Sequence, residues 1–240
     1  MEYSDALLTA LRRTFSRWSC ALDGDHVQLT YMRTSSSYWP PRRAPGWADL
    51  LTTLTDACTD YGIQRHSPLP MTGLGEAELT FSAIQALDPY LKQGRQHVHA
   101  HGFLPQPVVR FTARRDERNT LLPGYATSFV NTSIVEPIGT VDDHTALIDA
   151  WIGVLSKLGF HARHLSIGGR LTVWRREPVR GITLRIYHEG RALGDTVLLW
   201  NQSAPAKLAT DIGTGLERLR WLRTRCPWSE VVHGAHVKYT

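Results

Sequence analysis

The sequence predicts an α+β domain built on a largely antiparallel sheet. Three observations predict it. Segments rich in β-forming residues follow one another through the second half of the chain, and few of the joints between them carry a hairpin signal of the Asn-Gly type. Helical patterns are grouped at certain positions, as in folds that segregate helices to the faces of an antiparallel sheet. There is no internal repeat and no low-complexity tract.

Residues 2–18 carry Leu7, Leu8, Leu11 and Phe15 at helical spacing and read as an amphipathic helix. His26–Met32 alternates apolar and polar residues, the pattern of a strand. Thr34–Pro45 is rich in serine and proline and marks a loop and domain boundary, dividing an N-terminal extension (1–45) from a core (46–240). Trp47–Tyr61 is a helix with Leu50, Leu51, Leu54, Ala57 and Cys58 on one face and Gly62 as its stop signal. Strands are expected at Glu78–Ala83, Val108–Thr112, Thr127–Ile134, His164–Trp174, Ile182–His188 and Thr196–Trp200. A helix at Asp143–Leu158 interrupts them, with Ala146, Leu147, Ala150, Trp151, Val154 and Leu158 at three/four spacing. Asp211–Arg225 closes the domain as a helix or a strand–helix unit.

Composition sets wide bounds. A chain of 240 residues, 42% hydrophobic and with eight tryptophans, holds one large domain, or one and a half, with a substantial core. No apolar run approaches the roughly 18–20 residues that span a bilayer. The N-terminus lacks a basic region followed by an apolar one, so it does not read as a secretion signal, and a cytoplasmic protein with no membrane partner is expected. Cys20, Cys58 and Cys226 are far apart, odd in number and without a C-x-x-C pair, a pattern of half-buried thiols that argues against a disulfide framework or a thiolate zinc cage. A net charge of +5 permits a polyanionic partner such as RNA or a nucleoside triphosphate, but the arginines are scattered and no RNA-binding module is present.

Asp211–Leu219 (D-I-G-T-G-L-E-R-L) carries the most specific chemistry. Gly213 and Gly215 leave backbone room beside a ligand, a helix opening there offers N–H groups to phosphates, and Arg218 adds a planar cation that can clamp a phosphate or stack on a base. An ordinary amphipathic helix after a glycine turn would read the same way. There is no G-x-S-x-G nucleophile elbow, and Gly73–Gly75 does not open a βαβ unit.

The segment resembles motif 3 of class II aminoacyl-tRNA synthetases, the alanyl enzymes above all. Other landmarks of that family follow in collinear order over about residues 46–225. Tyr61–Pro70 is similar to motif 1, and Glu78–Gln93 to the strand and helix that open the alanyl active site. Val108–Val135 resembles motif 2, a strand bearing Arg110, a loop and a return strand. His144–Leu155 is similar to the helix after motif 2, and Val197–Asn201 to the strand ending in a Trp-Asn pair before motif 3. The resemblance implies a class II synthetase-type antiparallel sheet flanked by helices. It further implies that Arg110 holds the α-phosphate of ATP, and that Phe129 and Arg218 sandwich the adenine beside Gly213 and Gly215. Asp211 would pair with the substrate ammonium, and Trp200 and Asn201 would line the amino-acid pocket.

The departures carry information too. Where the family places acids that position magnesium and ATP, this chain has Leu184 and Leu198, and a leucine cannot ligate a hard cation. Glu189 and Asp195 lie nearby at a spacing wrong for a direct swap, and Asn131 stands where motif 2 would carry an acid. His97, His99 and His101 would share one face of a strand, a pattern that can hold zinc, with His161 and His164 elsewhere; a polar strand or loop explains it equally.

The expected function is therefore that of a ligase. ATP and Mg2+ would activate an amino acid or related carboxylate as the acyl-adenylate, with transfer to an acceptor. The sequence lacks tRNA-recognition and editing domains, so a carrier protein or small amine in specialised metabolism fits better than tRNA as acceptor. Two alternatives stay open: a non-catalytic amino-acid-binding or regulatory protein, and an enzyme using preactivated aminoacyl-tRNA on the same fold. The motif 1 resemblance implies a homodimer.

Overall fold

In the computed structural model, which describes residues 3–32, 47–74, 77–111 and 114–233, the chain opens with helix α1 (Ser4–Thr14), whose Leu7, Ala10 and Leu11 are buried. A hairpin follows, β1 (Trp18–Asp23) and β2 (His26–Tyr31), turning at Gly24 with φ +57°. After α2 (Trp47–Asp60) come the short strands β3 (Thr72–Leu74) and β4 (Ala77–Leu79), which pair only with each other. A 3-10 turn (Ala83–Leu87) runs into α3 (Asp88–Leu91). Strands β5 (Gly102–Val109) and β6 (Ser128–Ile138) form the next antiparallel pair, followed by the long helix α4 (Val141–Lys157). Five strands then succeed one another: β7 (Leu165–Arg170), β8 (Trp174–Arg176), β9 (Val179–His188), β10 (Arg191–Asn201) and β11 (Ala204–Gly215). Helices α5 (Leu216–Thr224) and α6 (Trp228–His233) end the described chain.

One antiparallel sheet organises all of this, in the order β1-β2-β7-β9-β10-β11-β6-β5 with β8 added beside β9. Helices α1, α2, α4 and α5 pack together against one face. The other face carries the 3-10 turn on β6 and α3 on β10 and β11. Strand periodicity assigns each side chain to a face: Thr196, Leu198 and Trp200 of β10 point to the helices, while Val197 and Leu199 belong to the smaller cluster with Leu87 and Leu91. Helix α4 is fixed at its start by a reciprocal cap. The Asp143 amide donates to Thr140 Oγ1 at 3.2 Å, and the Thr140 amide to Asp143 Oδ2 at 2.8 Å. Its Ile148, Trp151, Ile152 and Leu155 then enter the core.

The α+β class on an antiparallel sheet is as expected, and several boundaries differ for physical reasons. The strand expected at Val108–Thr112 runs instead over Gly102–Val109. Pro105 and Pro107 argue against a strand, but β5 is the sheet edge, where a missing N–H removes no ladder bond. Glu78–Ala83 yields only the end of β4 before the 3-10 turn, and His164–Trp174 breaks into β7 and the start of β8. Strand β11 begins at Ala204, well before the closing unit read from the sequence. The Ser/Pro-rich loop at Thr34–Pro45 lies outside the described residues. What precedes it is woven into the sheet and core: β2 pairs with β7 from His26↔Arg170 to Thr30↔Ser166, and α1 packs on α4. The three cysteines are free and Cys58 is buried. Among the described residues no helix is long and apolar enough to cross a membrane.

Candidate functional site

On the sheet face away from α4, alternate residues of four strands converge. Phe129, Asn131 and Ser133 come from β6, Arg185 from β9, Asp195 and Val197 from β10, and Asp211 and Gly213 from β11. With Ser82, Arg110, Tyr125 and Arg218 they wall a cavity of about 360 Å³. The register sets the spacing. Asp195 lies opposite Gly213 and Asp211 opposite Val197, so the two aspartates are diagonal neighbours, roughly 7–8 Å apart in backbone terms. Arg185 lies directly opposite Asp195 on the other side.

The strands come close here because glycine permits it. A Cβ on Gly194 would collide with the carbonyl oxygen of Gly213, and one on Gly213 with Ser133 Oγ. Gly213 therefore makes room for the neighbouring strand rather than for a ligand. Gly215 lies on the cavity wall, where an added Cβ would stand 3.4 Å from Phe129, an ordinary contact.

Two arginines are held at the mouth, each over an aromatic ring. Arg110 follows the end of β5, donates from Nε to the Phe81 carbonyl at 2.6 Å, and sets its guanidinium 5.3 Å from the Phe129 ring centre. Arg218, in the first turn of α5, donates to the Gly124 carbonyl at 2.8 Å and stands 5.7 Å from the Tyr125 ring centre. Burial lowers the pKa of both, opposed by Asp195 and Asp211 at Arg110 and by Tyr125 and Asp195 at Arg218. A guanidinium nevertheless stays charged in proteins. Anchoring and stacking hold each in place before any ligand arrives.

The floor is acidic. Burial, reinforced by the neighbouring Asp195, pushes the Asp211 carboxyl up to about 7, with a hydrogen bond from Ser133 and the charge of Arg110 working against the rise. Asp211 Oδ1 is buried and has no hydrogen-bond partner among the described residues. Asp195 is exposed towards the cavity; desolvation by the surrounding walls raises its pKa too, against the pull of Arg110, Arg218 and Arg185. Glu217 is used structurally. It accepts the Val130 amide at 3.0 and 3.2 Å, and its own backbone amide as well, so a carboxylate already meets the start of α5 where phosphate was expected. Asn131, in the place of an expected acid, ties β6 to the 3-10 turn. Its Oδ1 accepts the Ala83 amide at 3.2 Å and its Nδ2 donates to Ser133 Oγ at 3.0 Å.

Of the residues singled out in the sequence, Arg110, Phe129, Asp211, Gly213, Gly215 and Arg218 all border this one cavity. Trp200 and Asn201 stand elsewhere. Trp200 is buried on the helix side against Tyr3, with ring centres 4.9 Å apart, and Asn201 donates to the Leu91 carbonyl at 2.6 Å near the far end of β10. Leu184 and Leu198 also point to the helix-side core. Neither leucine therefore faces the cavity, and the cavity-facing residues beside them are Arg185 and Val197. Glu189 is engaged away from the cavity, with Arg225 and His164.

The histidine strand does not form. His97, His99 and His101 lie in the irregular segment between α3 and β5, where His101 pairs with Glu136 at 3.3 Å and packs on His66. Among the described residues no three His, Cys, Asp or Glu side chains are grouped to hold a metal. Asp195, Arg185 and Tyr125 are among the cavity residues to which the sequence assigned no role. Arg185 falls within the expected strand Ile182–His188 and Asp195 just before Thr196–Trp200, but only the β9–β10 pairing puts the two on one face.

No protein-family profile matches the chain, and no curated protein matches it. Among solved structures 82 chains match. One is the pyrrolysyl tRNA synthetase PylSc of Desulfitobacterium hafniense, with a TM-score of 0.55 at 14% identity, covering 78% of this chain and 72% of that one. The likeness is to a pyrrolysyl enzyme and gives no separate support to the alanyl branch. Sheet order, flanking helices and this match together establish that the chain has the α+β fold of a class II synthetase catalytic core.

Proposed function

We propose that the chain activates an amino acid, or a related carboxylate, as its acyl-adenylate in this cavity and passes the acyl group to an acceptor. One observation carries the reading: a single cavity is lined by the anchored Arg110 and Arg218 together with Asp195 and Asp211. Cations suit phosphate groups, and an unpartnered carboxylate oxygen suits a substrate ammonium. The substrate carboxylate oxygen attacks the α-phosphorus of ATP, the bond from that phosphorus to the bridging oxygen breaks, and pyrophosphate leaves. Arg110 stabilises the charge gathering on the α-phosphate, Phe129 and Arg218 flank the adenine with Arg218 also near the γ-phosphate, and Asp211 holds the ammonium. An acceptor nucleophile then takes the acyl group and AMP departs.

The finer assignments are part of the proposal. The alanyl affinity rests on Asp211–Leu219 and on the likeness of Glu78–Gln93 to the opening of the alanyl active site, and the acceptor is a carrier protein, a small amine or tRNA. A homodimer rests on the motif 1 likeness of Tyr61–Pro70, a segment that follows the outer edge of β5, where the His66 amide donates to the Phe103 carbonyl and the Phe103 amide to the Gln64 carbonyl. A cytoplasmic location and a role in specialised metabolism complete the reading.

Amino-acid-dependent exchange of labelled pyrophosphate into ATP tests it. Exchange is expected with at least one amino acid, and replacing Arg110 or Arg218 by alanine should reduce it by about a hundredfold or more. Should no amino acid support exchange while some still raise the melting temperature, the non-catalytic binding reading stands instead. Its support is that arginines already stand among the cavity's carboxylates: Asp195 and Asp211 lie among Arg110, Arg185 and Arg218, and Glu217 accepts the Val130 amide, so a cation would compete for each of them.

A further inference from the structure

The carboxylates of the cavity have a cationic neighbour that the adenylating reading does not use. Arg185 projects from β9 into it, directly opposite Asp195 on β10. Its side chain is exposed and has no hydrogen bond or ion pair among the described residues. It stands near enough to Asp195 and Arg218 for their charges to be felt, and Arg110 and Arg185 both disfavour the charged form of Arg218. Four guanidinium groups, those of Arg110, Arg114, Arg185 and Arg218, thus line one cavity, where a ligand with several negative charges would relieve their repulsion. The β9–β10 pair presents a cation, Arg185, directly beside the one carboxylate, Asp195, that it turns to the cavity.

We propose that Arg185 is the third phosphate-binding cation of this cavity, with Arg110 and Arg218, and that these three side chains neutralise a triphosphate with little contribution from a divalent ion. The inference rests on the adenylating reading above and extends it. An arginine fork meets phosphate oxygens with parallel hydrogen bonds, and its weakly held water is lost more readily than that of magnesium.

Direct ATP binding to the full chain, measured calorimetrically in chelator and again in excess magnesium, tests it. The wild-type dissociation constant is expected to change by less than about threefold between the two, and Arg185→Gln to weaken binding in chelator by about tenfold or more. Magnesium should recover part of that loss in the variant, and Arg185→Lys, which keeps the charge without the fork, should fall between. A merely structural role for Arg185 would not make binding newly dependent on magnesium. Wild-type binding that requires magnesium, or an Arg185→Gln protein that binds as tightly as wild type in chelator, overturns the proposal and leaves the adenylating reading intact. Absence of ATP binding under both conditions sinks the adenylating reading itself, and this inference with it. Should Arg185→Gln fail to fold, the wild-type comparison and Arg185→Lys still decide.

Discussion

Asp211 carries a proton at a pH where most aspartates have lost theirs, since burial and Asp195 push its carboxyl from 3.8 up to about 7. The folded state therefore binds more protons than the unfolded chain across that interval. Stability from this group is fully present below the unfolded value and is lost as pH rises through about 7. Asp211→Asn keeps the shape and removes the titration. It is expected to be more stable than wild type above neutrality by roughly 1–3 kcal/mol, read from denaturant midpoints, and to lose that advantage in acid. The same substitution should cost amino-acid affinity, since a neutral amide pairs poorly with an ammonium. Wild-type affinity should itself fall as pH drops below about 7, where Asp211 becomes protonated; titration calorimetry on both sides of neutrality checks it.

Strands β10 and β11 hold the two acids, and His144 of α4 supports those strands from behind. Its ring nitrogens meet Thr210 Oγ1 at 2.7 Å and Thr196 Oγ1 at 3.3 Å, one residue from Asp211 and Asp195 but on the opposite sheet face. Burial drives the His144 pKa down to about 3, so it is neutral in the folded protein and titrates normally only when unfolded. Its contribution to stability is lost as pH falls from 6.5 towards 3, opposite in sign to that of Asp211. His144→Leu should destabilise the protein at neutral pH by about 1–3 kcal/mol, because two buried hydroxyls lose their partner, and should flatten the acid limb of the stability profile. The glycines give a second test of the strand contact. Gly194→Ala drives a methyl into the Gly213 carbonyl oxygen and should cost about 2 kcal/mol, whereas Gly215→Ala has room and should stay within about 1 kcal/mol. Equal melting temperatures for these two variants would contradict the packing described.

Across the whole molecule, the N-terminal hairpin and helix close the far end of the sheet. Leu7, Leu11, Phe15, Val27 and Leu29 are almost wholly buried, and β2 covers the edge of β7. Burying five such side chains is worth on the order of 10 kcal/mol, as much as the net stability of an ordinary domain. A chain starting at Trp47 is therefore expected to lose its cooperative thermal transition. The boundary read at Thr34–Pro45 is a composition change, and composition does not report which sheet a strand joins.

Local pattern determined much of this protein. Helix periodicity placed α1, α2 and α4, β-rich runs located most strands, and D-I-G-T-G-L-E-R-L with its collinear neighbours indicated the fold. Those signals are legible because they depend on residues a few positions apart. Which face of each strand meets the cavity was decided by tertiary structure, because a shift of one residue exchanges the two faces and only pairing fixes the register. The register turns Arg185 and Val197 to the cavity in place of their neighbours Leu184 and Leu198, and leaves Trp200 in the helix-side core. The sequence by itself determined that Arg110, Arg218 and Asp211 are present in the right order. Only the antiparallel sheet, bringing β6, β9, β10 and β11 side by side, decided that they share one cavity and that Arg185 joins them there.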